Sequence, residues 1–239
     1  MIACAARTGS TMLVRTLRSH PDAIVHGEVW GDTMVGLDGP LALACDQDPR
    51  LRTALDASRF RDPAAAMRRF LEPHGARAVG FKLKFDELVR PQWTDVAALV
   101  EADHALHIVF LHRRDLLRRY LSHQVVLRQT GVTVVAAGEP PPSIQPFEVD
   151  IDDLLADIAQ TNARTRRFEA AFAGHPSLHV EYESLSADPQ AECARAYRFL
   201  GLEPVAVHVA TEKIVRQPPE ALVLNHAEVR AAMRDAGVA

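Results

Sequence analysis

Short apolar runs alternate along the chain with stretches whose apolar residues recur every three or four positions. The runs are Ile2–Ala5, Ala23–Val25, Ala78–Leu83, Leu106–His112 and Leu178–Tyr182. Their brevity and their β-branched and aromatic content predict strands buried on both faces. Gly9–Ser19 reads as a turn leading into a helix, with Leu13 and Leu17 one turn apart and Pro21 as the stop. Further helices are expected over Pro49–Ala57, Asp62–Leu71, Gln92–Glu101 and Arg114–Arg128. Asp150 starts a long helix with Ile151, Leu154, Leu155 and Ile158 on one face. Asp188 and Pro189 read as the cap and first residue of another, which Gly201 closes. From Pro204 onward the pattern is weak. Strands separated by helices predict an α/β fold, a parallel β-sheet flanked by helices on both faces. Ligands then bind beyond the carboxyl ends of the strands. That directs attention to Arg7–Thr11, Gly27–Trp30, Lys82–Lys84, Arg113–Asp115 and Glu181–Glu183.

The 239 residues suit one domain spanning 1–239. Residues 31–76 are mixed in pattern. Residues 130–149 carry Gly131, Gly138 and prolines at 140, 141, 142 and 146, and read as a loop. At 48% hydrophobic and 24% charged the chain has globular, not disordered, composition. A net charge of −4 disfavours nucleic acid as a partner, which needs a surplus of Lys and Arg. Cys4, Cys45 and Cys193 are far apart and form no CxxC. We therefore expect a reducing compartment, with neither a disulfide framework nor a zinc site. The apolar start is interrupted by Arg7, too early for a signal peptide. No run approaches the ~20 apolar residues of a membrane span. The expectation is a cytoplasmic protein with no stable membrane insertion. Only Met1–Ala5 precede the first turn, which leaves open a start further upstream.

Four constellations carry chemistry. In Arg7-Thr8-Gly9-Ser10-Thr11-Met12, Gly9 permits a tight turn, and the N–H groups of Gly9, Ser10 and Thr11 point toward an anion. Hydroxyls and Arg7 add donors, although Ser10 also fits a simple helix cap. The Walker pattern GxxxxGK[ST] is absent. In the second, His112-Arg113-Arg114-Asp115 is followed by Ser122, a setting for bidentate phosphate binding by a guanidinium. The same residues fit a solvated basic helix face capped by Asp115. In the third, His26-Gly27-Glu28 offers two general bases, although residues of either kind are more often structural or surface groups. In the fourth, Lys82 and Lys84 share one side of a strand, where Lys82 can stabilise a developing anion.

In order and spacing these residues resemble the 3′-phosphoadenosine 5′-phosphosulfate (PAPS)-dependent sulfotransferases, most nearly the bacterial branch of nodulation-factor and trehalose sulfotransferases. The pattern includes Ser19-His20-Pro21, Gly80-Phe81-Lys82-Leu83, Val180-Glu181-Tyr182-Glu183-Ser184-Leu185, Asp188-Pro189 and Phe199-Leu200-Gly201. The resemblance implies a P-loop-like sheet and PAPS as donor, with adenosine 3′,5′-bisphosphate as product and no metal required. It implies that Arg7, Thr8, Gly9, Ser10, Thr11 and Met12 hold the 5′-phosphosulfate. Arg113 or Arg114, with Ser122, would hold the 3′-phosphate. Glu28 matches the base, with Lys82 and Arg7 completing the catalytic set. Lys213 and Asn225 lie where a C-terminal segment closes over the nucleotide. The catalytic Lys-Thr-His of the animal cytosolic branch is replaced by Lys82-Leu83-Lys84, and its Arg-Lys-Gly motif is missing.

The implied reaction is in-line sulfuryl transfer to a hydroxyl or amine of a small-molecule or carbohydrate acceptor. A P-loop-like kinase and a catalytically silent nucleotide-binding domain are the alternatives. Segments 31–76 and 130–149 are expected to line or cover the acceptor site. Trp30, Leu37, Leu41, Leu43 and Phe147 suit either an apolar acceptor surface or ordinary core.

Overall fold

The computed structural model describes residues 1–238. Its strands are β1 (Ile2–Cys4), β2 (Ala23–Glu28), β3 (Ala78–Lys84), β4 (Ile108–His112), β5 (Val135–Ala136), β6 (Ser177–Glu181) and β7 (Thr211–Glu212). The helices begin with α1 (Ser10–Leu17), α2 (Gly39–Gln47), α3 (Pro49–Arg61), α4 (Pro63–Phe70), α5 (Phe85–Leu88) and α6 (Thr94–Ala102). They continue with α7 (Leu116–Val125), α8 (Ile151–Ala171), α9 (Tyr182–Ala187), α10 (Pro189–Phe199), α11 (Pro219–Leu222) and α12 (His226–Asp235). A five-stranded sheet runs in the order β2-β3-β1-β4-β6, and every pairing in it is parallel.

The period-2 pattern of the strands sorts the core into two layers. Ile2, Cys4, Val109, Leu111 and Val180 face Leu13, Val14 and Leu17 of α1 and Cys193, Ala196 and Tyr197 of α10. Ala3, Phe81, Leu83, Ile108 and Phe110 face the other way, against Phe70 of α4, Val96 and Val100 of α6, Phe168 of α8 and Phe172 just beyond it. A third cluster joins α7 and α8 to the 130–149 segment and to α11 and α12.

The sequence reading finds the five sheet strands and most helices. The differences have local causes. The second strand runs on to Glu28 because Gly27 makes a bulge: His26 pairs with Phe81 and Glu28 with Lys82. The α2 helix escapes notice because Gly39 and Pro40 open it, and both disfavour helix interiors. Beyond Val125 the seventh helix widens into a π turn over Val126–Thr130, closed by Gly131 at φ 64°. The expected loop 130–149 holds β5, which pairs antiparallel with β7. The weakly patterned tail contains α11 and α12. Trp30 and Leu41 are core, Leu37 and Phe147 pack against core clusters, and Leu43 is 63% exposed.

His26 is also structural. It is buried; its Nδ1 accepts from the Asp38 N–H at 3.0 Å, so Nε2 donates to the Phe70 carbonyl at 2.9 Å. The imidazole thereby pins the 31–76 segment to β2. Burial holds its pKa below the ordinary 6.5, against the opposing pull of the Phe70 bond and Asp38. Between the folded and unfolded values the unfolded chain binds more protons. This stability is complete above about pH 6.5 and declines as pH falls through the folded value. Thermal melts should therefore show Tm falling from about pH 7 to about pH 5. His26→Asn should lower Tm at neutral pH and flatten that decline, leaving the part due to His112 and His123, which burial shifts the same way. An unflattened profile would remove His26 from this role.

Candidate functional site

The strand order reverses around β1, so a crevice opens at its carboxyl end, where helices depart to opposite sides. The chain crosses this edge between Cys4 and Ser10 in a left-handed turn, with Arg7 at φ 65° and Gly9 at φ 84°. Gly9 is the N-cap of α1, and no side chain caps the helix. Ser10 is therefore not a cap: it lies inside the first turn. The first helical bond runs from the Leu13 N–H to the Gly9 carbonyl, 3.1 Å. The N–H groups of Ser10, Thr11 and Met12 precede it and have no intrahelical partner. Thr8 is 3% exposed and donates its hydroxyl to the Ala5 carbonyl at 2.9 Å. Its side chain shapes the turn and does not line the crevice.

Two guanidinium groups border the turn. Arg7 Nε donates to Ser122 Oγ at 3.1 Å, and Nη1 donates to the Thr133 carbonyl at 3.1 Å. Arg113 Nη1 donates to the Arg7 carbonyl at 3.0 Å. The Arg113 guanidinium lies over the Tyr182 ring, 4.4 Å from its centroid. Arg113 Nε is buried without a partner. Burial lowers the pKa of both groups, and for Arg7 the charge of Arg113 adds to it. Arg114 points elsewhere: it is 65% exposed and pairs with Glu181 at 3.0 Å. The sequence leaves open which arginine accompanies Ser122, and the geometry brings Arg7 to Ser122, with Arg113 alongside. Asp115 caps α7, accepting from the Arg118 N–H at 2.8 Å. Glu183 holds the same helix start by accepting from the N–H groups of Arg114 and Asp115.

The bulge at Gly27 turns Glu28 onto Lys82 and Lys84. Bulges commonly re-aim one side chain in this way. Gly27 is required there because a Cβ would meet the Val35 carbonyl oxygen at 2.8 Å. Lys82 Nζ lies 2.7 Å from Glu28 Oε1 and donates to Thr11 Oγ1 at 3.3 Å. Lys84 Nζ lies 3.0 Å from Glu28 Oε2 and 3.2 Å from Glu87. Burial raises the Glu28 pKa, but the two lysines outweigh it and hold the carboxyl below its ordinary value.

Arg7, Gly9, Ser10, Thr11, Met12, Glu28, Lys82, Lys84, Arg113, Ser122 and Lys213 line one cavity of about 820 Å³. That volume suits a cofactor-sized ligand. The lining carries eight Lys and Arg against three Asp and Glu, a local surplus of positive charge on a chain whose net charge is −4. Residues 1–206 match the family model described as the sulfotransferase family. The chain belongs to the sulfotransferase family. A solved structure with a similar fold is the sulfotransferase from Alicyclobacillus acidocaldarius, at TM-score 0.51 and 16% identity, covering 98% of this chain and 94% of that one. The comparison with curated proteins gave no match. No helix among the described residues is long and apolar enough to cross a membrane.

In this sulfotransferase Thr8 and three further named residues stand outside the cavity. The three are Arg114, His26, and Asn225, whose side chain makes paired 2.9 Å bonds to the Val149 backbone. Asn225 thus fastens the C-terminal segment to residues 130–149. Sequence reasoning misses His123 and Asp86 among the lining residues, whereas Tyr182 and Thr133 fall in segments it marks, Glu181–Glu183 and 130–149. Tyr182 opens α9 where the sequence predicts the end of a strand, and His123 follows Ser122 without any motif of its own. Tyr182 closes the turn: a Cβ on Gly9 would lie 2.3 Å from its Cδ2. Gly9→Ala should therefore cost more than the roughly 1–2 kcal/mol of a left-handed alanine. Gly131→Ala, at φ 64° with nothing near its Cβ, should show only that backbone cost. Urea denaturation of the two variants measures the difference, and equal losses would mean that Tyr182 does not abut the turn.

Proposed function

We propose that the chain transfers the sulfuryl group of PAPS to a hydroxyl or amine of a small-molecule or carbohydrate acceptor. The observation that carries this reading is the convergence of Arg7, Arg113, Ser122 and the free N–H groups of α1 on one cationic cavity. The residues suit a nucleotide with two phosphate positions. The N–H groups at the start of α1 are met by no capping side chain, and Arg113 keeps a buried Nε without a partner. When bound, PAPS supplies an activated sulfuryl group on an anionic leaving phosphate.

The Arg7–Met12 loop would take the 5′ side through backbone N–H groups, whose dipoles favour anions. Ser122 and Arg113 would take the 3′-phosphate, and Lys213 stands at the rim. Lys82 lies between Thr11 and Glu28, so its charge serves both the loop and the acceptor side. Preorganised charge of this kind stabilises an anion developing at the leaving oxygen. Glu28 would accept the acceptor's proton as Lys82 turns toward the loop. His123 is a second base: burial and the charges of Arg119 and Arg7 lower its pKa, so it is neutral and able to accept a proton at pH 7. The cavity cations supply neutralisation that Mg²⁺ provides in phosphoryl transfer, so donor binding is expected without added metal. Thr133 and Val134 from 130–149, and Val35 and Gly36 from 31–76, border the cavity and would meet the acceptor.

Adenosine 3′,5′-bisphosphate in EDTA should stabilise the chain by about 2.7 kcal/mol at ~100 times its Kd, as read by thermal melts. Stabilisation by ATP with Mg²⁺ alone would replace the proposal with phosphotransfer. Arg113→Gln should weaken that binding roughly tenfold or more, as expected for a lost charged hydrogen bond. Arg114→Gln should leave it unchanged. The reverse order would place the phosphate on the other side of β4.

Turnover separates the two bases. Glu28→Gln should reduce kcat by about 10²–10⁴ with bisphosphate binding intact. Because its pKa is lowered, Glu28 stays ionised on the acid side, and kcat should hold down to about pH 5. A decline below about pH 6.5 that disappears in His123→Gln would assign the proton to His123 instead.

A further inference from the structure

Away from the cavity, three metal-binding side chains from distant parts of the sequence meet on the sheet face covered by α8. His112 ends β4, His179 lies in β6, and Glu169 projects from the last turn of α8. The strands are adjacent and in register, with Phe110 opposite His179 and His112 opposite Glu181. Both imidazoles therefore stand on one face. His112 Nε2 lies 2.9 Å from His179 Nδ1. Glu169 Oε1 lies 3.6 Å from His112 Nε2 and 3.9 Å from His179 Nδ1. Among the described residues this is the one group of three or more potential ligands lying within 4.8 Å of one another.

We propose that His112, His179 and Glu169 form a binding site for Zn²⁺, with a fourth position open to water. Zinc bonds of about 2.0–2.1 Å in tetrahedral geometry put neighbouring ligand atoms about 3.3 Å apart, and the three separations bracket that value. The donor set, two imidazoles and one carboxylate, suits zinc; magnesium and calcium take oxygen cages. The two rings are nearly parallel, 6° apart, and Phe110 stacks on His179 at a centroid distance of 5.1 Å. The pair is thus held before any ion arrives. Without metal one ring donates its N–H to the nitrogen of the other; when the ion takes both lone pairs, the donor ring keeps its proton on its other nitrogen, and the ligating nitrogens spread by a few tenths of an ångström. Glu181 is the next carboxylate along the face, and it is occupied by Arg114 at 3.0 Å. The His179 side chain is 54% exposed and that of Glu169 35%, so an ion can enter without unfolding the chain. None of the three ligands lines the cavity, but His112 directly precedes Arg113. A bound ion would tie β4, β6 and α8 together one residue from the proposed phosphate contact.

The test uses the untagged full chain, stripped with EDTA and dialysed, and titrated calorimetrically with ZnCl₂. One equivalent should bind and should raise Tm. His179→Ala and Glu169→Gln, both at partly exposed positions, should each weaken binding roughly tenfold or more and abolish the Tm rise. MgCl₂ at the same concentration should produce neither effect. Absence of stoichiometric binding would overturn the proposal. So would binding unchanged in both variants, which would assign the ion to others of the eleven histidines. Neither readout depends on sulfuryl transfer, so the outcome is separate from that of the proposed function.

Discussion

The carboxyl end of β1 must pass in the few residues between Cys4 and Ser10 into a helix lying on one face of the sheet. It does so through left-handed backbone at Arg7 and Gly9. That turn aims the free N–H groups of α1 and the Arg7 side chain at the same space. Other parts of the site are fitted around it. Arg113 bonds the Arg7 carbonyl, Tyr182 fills the space against Gly9, and Ser122 and Thr133 take the Arg7 guanidinium. An L-residue at φ 65° is held only where its surroundings over-determine it, and these four contacts do so.

The cavity is built with charge in excess. Arg7 and Arg113 are both largely removed from solvent, and each has a lowered pKa. Buried cations without an anionic partner are costly. Neither arginine has a carboxylate of its own, in contrast to Glu28, which is matched by two lysines. The site therefore contains one neutralised region and one that an anion would neutralise. This division is the physical basis for assigning the donor to the arginine side and the acceptor to the Glu28 side.

The two long connections are fixed by hydrogen bonds more than by apolar contact. His26 and Asp38 bind the 31–76 segment to β2, with Arg18 reaching the Val25 and Gly36 carbonyls. Asn225 and the β5–β7 pairing join 130–149 to the tail. These links were invisible along the chain because their partners lie far apart in sequence. His26 illustrates the point: its place beside Glu28 suggested a base, whereas both ring nitrogens are used to hold backbone.

The residue pattern by itself determined the α/β class, the five strands of the sheet and the edge at which the site lies. Alternating buried runs and amphipathic helices have few ways to hide their apolar faces. The Gly9 turn and the Asp115 and Asp188 caps were equally legible, since local backbone chemistry dictates them. Tertiary structure alone decided which arginine faces the cavity, that a bulge turns Glu28 onto two lysines, and that His123 and Asp86 join the wall. It alone brought His112, Glu169 and His179 together. Those outcomes depend on register between strands and on how helices seat upon them, and a side chain's direction in space is not encoded in its neighbours along the chain.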